Sequence, residues 1–175
     1  MLKLKDVSPN TSKIHNESDH YVTIKIVFEK EDTYDGVCYW NAYGKKESLV
    51  QIGLSNPKGG IYKIVSFFHP TIKHKITSDR LIIDTNIPEQ IGLPLFETYM
   101  EKYQEGYYHL DEKINFEIYA GTTSTTIMLS QNIVALHVIN DLVIFGFDKD
   151  SNLCYIHMQN MALNDEGFLE QVITH

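Results

Sequence analysis

From Tyr21 to Glu29 the chain alternates, with Val22, Ile24, Ile26 and Phe28 on one side and Tyr21, Thr23, Lys25, Val27 and Glu29 on the other. Side chains that change face at every residue belong to a strand, so this segment is expected to lie half-buried against a core. Runs of strand length recur at Val37 to Tyr43, Leu49 to Leu54, Ile61 to Phe68, Arg80 to Asp84, Lys113 to Ala120, Thr123 to Ser130, Ile133 to Ile139, Leu142 to Phe147 and Asn152 to Met158. Turn residues separate them. In Ser55 to Gly60, Pro57 supplies a fixed φ, and Gly59 and Gly60 tolerate a positive one. Ten or so short strands of this kind predict a mainly β or α+β domain, with an antiparallel sheet curled into a sandwich or partial barrel.

Two helices are expected beside the strands. Between Pro88 and His109 the apolar spacing lengthens, and Leu95, Phe96, Tyr99, Met100 and Tyr103 fall along one helical stripe. Pro94 suits the first turn, Gly106 the stop, and Glu97, Glu101 and Glu105 a solvated face. This predicts one central amphipathic helix packed on the sheet. Near the end, Asn164 caps a run in which Phe168, Leu169, Val172 and Ile173 share a face, which predicts a short C-terminal helix. Residues 1–20 are polar and turn-rich, and are expected to form an extended arm or short edge strand. Residues 21–175 are then a single β-rich domain, consistent with a total length of 175 residues.

One internal similarity stands out. Leu49 to Ile64 reads like Leu142 to Ile156, with Gly53 and Gly146 in register and one residue of difference in the loop. Convergence of two hairpins with similar demands is the preferred account, and duplication of a β-unit the alternative.

Charge and cysteine usage bound the partners. The net charge is -8, and Arg80 is the only arginine, so phosphate recognition by guanidinium forks is nearly absent and nucleic acid is not an expected partner. Residues 36–78 carry six lysines against Glu47, whereas residues 79–175 carry four cationic residues against fifteen acidic ones. An acidic half of this kind steers a basic partner, or simply keeps the protein in solution. No apolar run reaches membrane-spanning length, no export signal opens the chain, and Cys38 and Cys154 read as small buried hydrophobes, so a soluble cytoplasmic protein is expected.

No motif predicts a cofactor, a metal or a catalytic set. Asp148, Asp150 and Asn152 occupy the first ligand positions of a calcium loop, but Leu153 stands where that loop needs glycine and Gln159 where it needs a bidentate glutamate. A hairpin turn is the better reading. Cys154 and His157 have zinc-site spacing, but three residues apart on a strand they face opposite sides unless a bulge intervenes. The hydroxyl-rich tract Gly121 to Thr126 runs into a strand instead of a helix, so a turn and a solvent-facing strand are expected in place of a phosphate cradle.

What remains is a set of groups suited to protein contact. Tyr107 and Tyr108 follow the expected acidic helix, mixed with Glu105 and Asp111, while Asp148 and Asp150 lie at the tip of a later hairpin. Tyrosine offers aromatic area at low entropy cost, and carboxylates select a basic partner, so these six residues are the candidate partner-binding set. In overall profile, a small acidic β-rich domain without a catalytic set, the chain resembles the immunity proteins that bacteria make against their own toxins. The resemblance implies a stoichiometric inhibitor that binds a basic toxin domain. The alternatives are a β-barrel holding a small ligand, an enzyme without a legible motif, and a module of a phage or surface assembly.

Overall fold

The computed structural model describes residues 1–17, 22–29, 36–44, 48–56, 58–67, 75–76, 86–98, 107–121 and 123–161. Among the described residues fifteen strands are formed and there is no helix. They are β1 (Leu4–Ser8), β2 (Ile14–Asn16), β3 (Ile24–Phe28), β4 (Gly36–Tyr43), β5 (Leu49–Asn56), β6 (Ile61–Phe67) and β7 (Lys75–Ile76), followed by β8 (Glu89–Ile91), β9 (Leu93–Phe96), β10 (Tyr107–Lys113), β11 (Glu117–Ala120), β12 (Ser124–Met128), β13 (Val134–Asn140), β14 (Val143–Asp148) and β15 (Leu153–Gln159).

They make three sheets: six strands in the order β10-β4-β5-β6-β3-β2, seven in the order β7-β11-β12-β15-β14-β13-β8, and a ribbon of β1 and β9. The two large sheets share one core. Ile24, Ile26, Phe28, Trp40 and Ile52 from the first are buried in the same cluster as Ile127, Val138, Phe145, Phe147 and Ile156 from the second. Phe28 meets Phe145 with ring centroids 6.4 Å apart, and Phe96 of the ribbon meets Phe147 at 6.0 Å. The fold is therefore an all-β sandwich with a short closing ribbon.

The strand alternation expected from Tyr21 is seen in β3, where Ile24, Ile26 and Phe28 are buried and Lys25 and Val27 are half-exposed. Trp40 is fully buried and donates from Nε1 to Glu112 Oε1 at 3.0 Å. The first residues supply β1 and the edge strand β2. Leu2 enters the core, and Ser12 exchanges two 2.7 Å hydrogen bonds with the Asn140 side chain.

The α+β alternative and its central helix are corrected. Residues 88–109 contain β8, β9 and the start of β10, and Pro94 lies within β9 opposite Val7 instead of opening a helix. A helical stripe and a strand share the buried Phe96. Pairing with β1, together with Gly92 at φ 151°, decides for the strand, because tertiary hydrogen bonding outweighs a few tenths of a kcal/mol per residue of helical preference. Residues 99–106 of that expected helix, the strand expected at 80–84 and the expected C-terminal helix at 164–173 lie outside the described residues.

The similarity between residues 49–64 and 142–156 extends to the architecture. Read from the β10 edge, the six-stranded order β10-β4-β5-β6-β3-β2 is repeated as β8-β13-β14-β15-β12-β11, including the parallel pairing of the first strand in each. The register slips directly after Gly53 in one hairpin and after Gly146 in the other. Both turns close alike: Ser55 N to Gly60 O and Gly59 N to Ser55 O, each 2.7 Å, match Asp148 N to Asn152 O and Ser151 N to Asp148 O, each 3.0 Å. Gly59 and Ser151, at φ 76° and 64°, are equivalent. The ribbon strands exchange reciprocally, since Phe96 N donates to Gly59 O at 2.8 Å and Leu4 N to Ser151 O at 2.9 Å. Antiparallel pairing of β1 with β9 is what an approximate twofold relation between two copies of one unit requires.

Candidate partner-binding face

Alternation along β4 sends Cys38, Trp40 and Ala42 into the core and leaves Tyr39, Asn41 and Tyr43 on the outer face of the six-stranded sheet. Register then builds rows across that face. One row runs from His109 on β10 through Tyr39 and Gly53 to Lys63, the next from Asp111 through Asn41 and Gln51 to Val65, and a third from Lys113 through Tyr43 and Leu49 to Phe67.

The first row is aromatic. His109 stacks on Tyr39 with centroids 5.3 Å apart, and Tyr39 meets Tyr62 edge-on at 6.3 Å. The Lys63 ammonium sits 4.7 Å from the Tyr39 centroid and 5.7 Å from that of Tyr62. Gly53 makes room for this arrangement, because a Cβ there would come within 2.5 Å of Tyr62 Cζ. The middle row is a hydrogen-bonded chain: Gln51 Nε2 donates to Asn41 Oδ1 at 3.0 Å, and Asn41 Nδ2 to Asp111 Oδ1 at 2.8 Å, with His109 Nδ1 3.2 Å from the same amide. The third row leaves apolar area in water, with Tyr43 42% and Phe67 39% exposed.

Of the six residues expected from the sequence, Asp111 lies on this face. Tyr107 opens β10 opposite Val37. Tyr108 is half-buried and packs against the core, and Glu105 lies outside the described residues. Asp148 and Asp150 belong to the β14–β15 turn of the other sheet, so the structure does not place the set on one surface.

Asp148 is buried and accepts hydrogen bonds from Asp150 N and Asn152 N, both at 2.9 Å, and from Asn132 Nδ2 at 2.7 Å. Burial disfavours its charge, but the bonds from Asn152, Asn132 and Asp150 outweigh that and hold the carboxyl below its ordinary value. This side chain organises the turn, as the hairpin reading expects, and Asp150 alone of the pair is exposed.

The outer face of the seven-stranded sheet differs. Tyr155 is bonded to His137 Nε2 at 2.6 Å and Thr126 to His157 Nδ1 at 2.8 Å, all four residues being buried. Burial raises the Tyr155 hydroxyl and lowers the His157 imidazole from their ordinary values. Thr125 and Thr126 are thus not solvent-facing as expected: both are buried, Thr125 Oγ1 donating to Met161 O at 2.8 Å and Thr126 Oγ1 lying against His157 Nδ1. The bulge that the zinc reading required does occur at Cys154, and burial raises its thiol to about 11, a weakly nucleophilic state. Among the described residues no group of three or more histidine, cysteine, aspartate or glutamate side chains is placed to hold a metal ion. An open groove of about 390 Å³ lies between Thr11–Lys13 and Glu89, Ile91, Ile139 and Asp141.

Tyr39, Asn41, Gln51, Tyr62, Lys63 and His109 were not singled out by the sequence reading. The available signal was Asn41 and Gln51 at alternate positions of two apolar runs, where a strand buried on both faces would carry aliphatic residues. Compared with known proteins, the chain matches no protein-family model and no curated protein sequence. Among the described residues no helix is long and apolar enough to cross a membrane.

Proposed function

We propose that the protein is a stoichiometric inhibitor that binds a toxin domain, in the manner of an immunity protein, through the outer face of its six-stranded sheet. The observation that carries this reading is the make-up of the face: exposed Tyr43 and Phe67 beside the aromatic row of His109 stacked on Tyr39 and Tyr62 edge-on to it, with amides and a carboxylate between them. Aromatic anchors surrounded by polar groups are the composition of protein interfaces, and tyrosine is enriched among the residues that dominate their binding energy. The face draws mostly on the lysine-rich residues 36–67, so the preference for a basic partner rests on the Asp111 carboxylate at its β10 margin and not on the balance of the whole chain. A barrel for a small ligand would need room between the sheets, where Trp40, Phe28, Phe145 and Phe147 instead interlock.

The test starts from the protein that co-purifies with the full chain from its native host in mild salt. That protein is expected to form a 1:1 complex by native mass spectrometry, to arrest growth when produced alone and to be neutralised when the chain is co-produced. Tyr43→Asp combined with Phe67→Asp is expected to abolish the rescue while leaving the thermal midpoint unchanged. A partner whose toxicity the chain does not relieve overturns the inhibitor reading. Rescue that survives both substitutions overturns the choice of face.

A further inference from the structure

We infer that Gln51, Asn41 and Asp111 form a receptor for an arginine side chain of the partner, an inference that rests on the binding-face reading above and names the chemistry at its centre.

The repeated architecture supplies an internal control. Equivalent ladder positions in the other sheet are read from the two registers: Asp111 pairs with Asn41 and Asn41 with Gln51, as Ile91 pairs with Ile139 and Ile139 with Ile144. The fold therefore runs with three isoleucines where this sheet has a carboxylate and two amides. Placing Asn41 in a site only 3% exposed gains nothing for packing and obliges its polar atoms to find partners. A function for the polar row accounts for that cost.

The row has a direction. Gln51 donates to Asn41 and Asn41 donates to Asp111 Oδ1, so the amide hydrogens run toward the carboxylate and tether one of its oxygens. Asp111 itself is exposed, and among the described residues no lysine, histidine or N-terminal amine pairs with it within 4.0 Å. Of the cations on this face, Lys63 lies over the Tyr39 and Tyr62 rings, and Lys113, one row beyond Asp111 on β10, makes no ion pair with it within 4.0 Å. An exposed carboxylate that is held through Oδ1 and lies one row from the exposed Tyr43 ring offers a guanidinium both a hydrogen-bond acceptor and the flat aromatic surface that it prefers over an ammonium.

The test uses the full chain and Nα-acetyl-argininamide as probe, followed by the side-chain amide signals of Asn41 and Gln51 in ¹H–¹⁵N spectra. Saturable shifts at both amides are expected, at least tenfold weaker binding in Asp111→Asn, unchanged binding in Asp150→Asn, and at least threefold weaker binding of Nα-acetyl-lysinamide. Asn41→Ile combined with Gln51→Ile installs the residues of the sister sheet and is expected to lose the probe while keeping the thermal midpoint. No shift at Asn41 and Gln51, equal binding by Asp111→Asn, or equal binding of the lysine probe overturns the arginine receptor. Unfolding of the double isoleucine variant also overturns it, since the polar row would then serve the fold. The probe requires no partner protein, so a negative result here beside an intact neutralising complex removes the receptor alone, and a failed complex beside positive probe binding removes the inhibitor reading alone.

Discussion

At the scale of single residues, Asp148 shows how a side chain that reads as a surface charge becomes a structural part. Its carboxylate gathers the backbone of Asp150 and Asn152 and the side chain of Asn132 into one turn, in a chain whose equivalent hairpin uses Gly59 for the same corner. Replacing it by alanine strands these donors and is expected to cost about 2 kcal/mol, whereas reversing Asp150 is expected to leave stability unchanged. The pH dependence has a defined sign. A carboxyl held below its ordinary value in the folded state binds fewer protons than in the unfolded chain, so its contribution is present above about pH 4 and fades as pH falls through the depressed value. Urea midpoints measured from pH 6 to pH 2 are expected to fall less steeply at the acid end for Asp148→Asn than for the natural chain. Identical acid limbs would show that the turn does not depend on this charge.

At the scale of elements, the two hairpins β5–β6 and β14–β15 share a bulge and a glycine beneath a tyrosine ring, but the rings are held differently. Tyr62 is half-exposed, while Tyr155 is buried with its hydroxyl on His137 at 2.6 Å. A Cβ at Gly53 meets the far end of the half-exposed Tyr62 ring, with Cζ at 2.5 Å and the hydroxyl at 2.7 Å. At Gly146 it meets Cδ1 of the locked ring at 2.7 Å. Gly146→Ala is therefore expected to destabilise by about 2 kcal/mol and Gly53→Ala by under about 1 kcal/mol, read as midpoints in urea. Equal costs would mean that the buried Tyr155 ring yields as readily as the half-exposed Tyr62 ring.

The same elements show what a sequence reveals. The strands were legible where alternation and turn residues agree, as at Ile24 to Phe28 and around Gly59 and Gly60. They were not legible at Leu93 to Phe96, where the spacing of Leu95, Phe96 and Tyr99 suits a helix and only pairing with Leu4 to Ser8 selects the strand. The parallel seat of β10 beside β4 joins residues about seventy positions apart, and local pattern says nothing of it. Asp111 was singled out by its charge beside the tyrosines, in a loop after an expected helix, and the structure puts it on β10. Asn41 and Gln51 were not singled out because their alignment arises only from register across three strands, and the burial of Asp148 was not legible because its partners close around it only when the turn forms.

At the scale of the whole molecule, one unit is used twice with opposite outcomes. Its inner faces remain apolar and build a common core. The outer faces diverge, one into the buried pairs Tyr155–His137 and Thr126–His157, the other into rows of tyrosine, amide, histidine and carboxylate at the surface. That asymmetry is the reason for placing the partner on the six-stranded sheet, with β10 at its margin. Hydrogen–deuterium exchange of the full chain, alone and in complex with its co-purified partner, tests this placement most directly. Edge strands exchange readily when unpaired, so binding across this face is expected to slow exchange in residues 107–113 first, then in 36–43 and 49–55, with the β14–β15 turn unaffected. Protection confined to that turn or to β8, with β10 unchanged, would contradict the account.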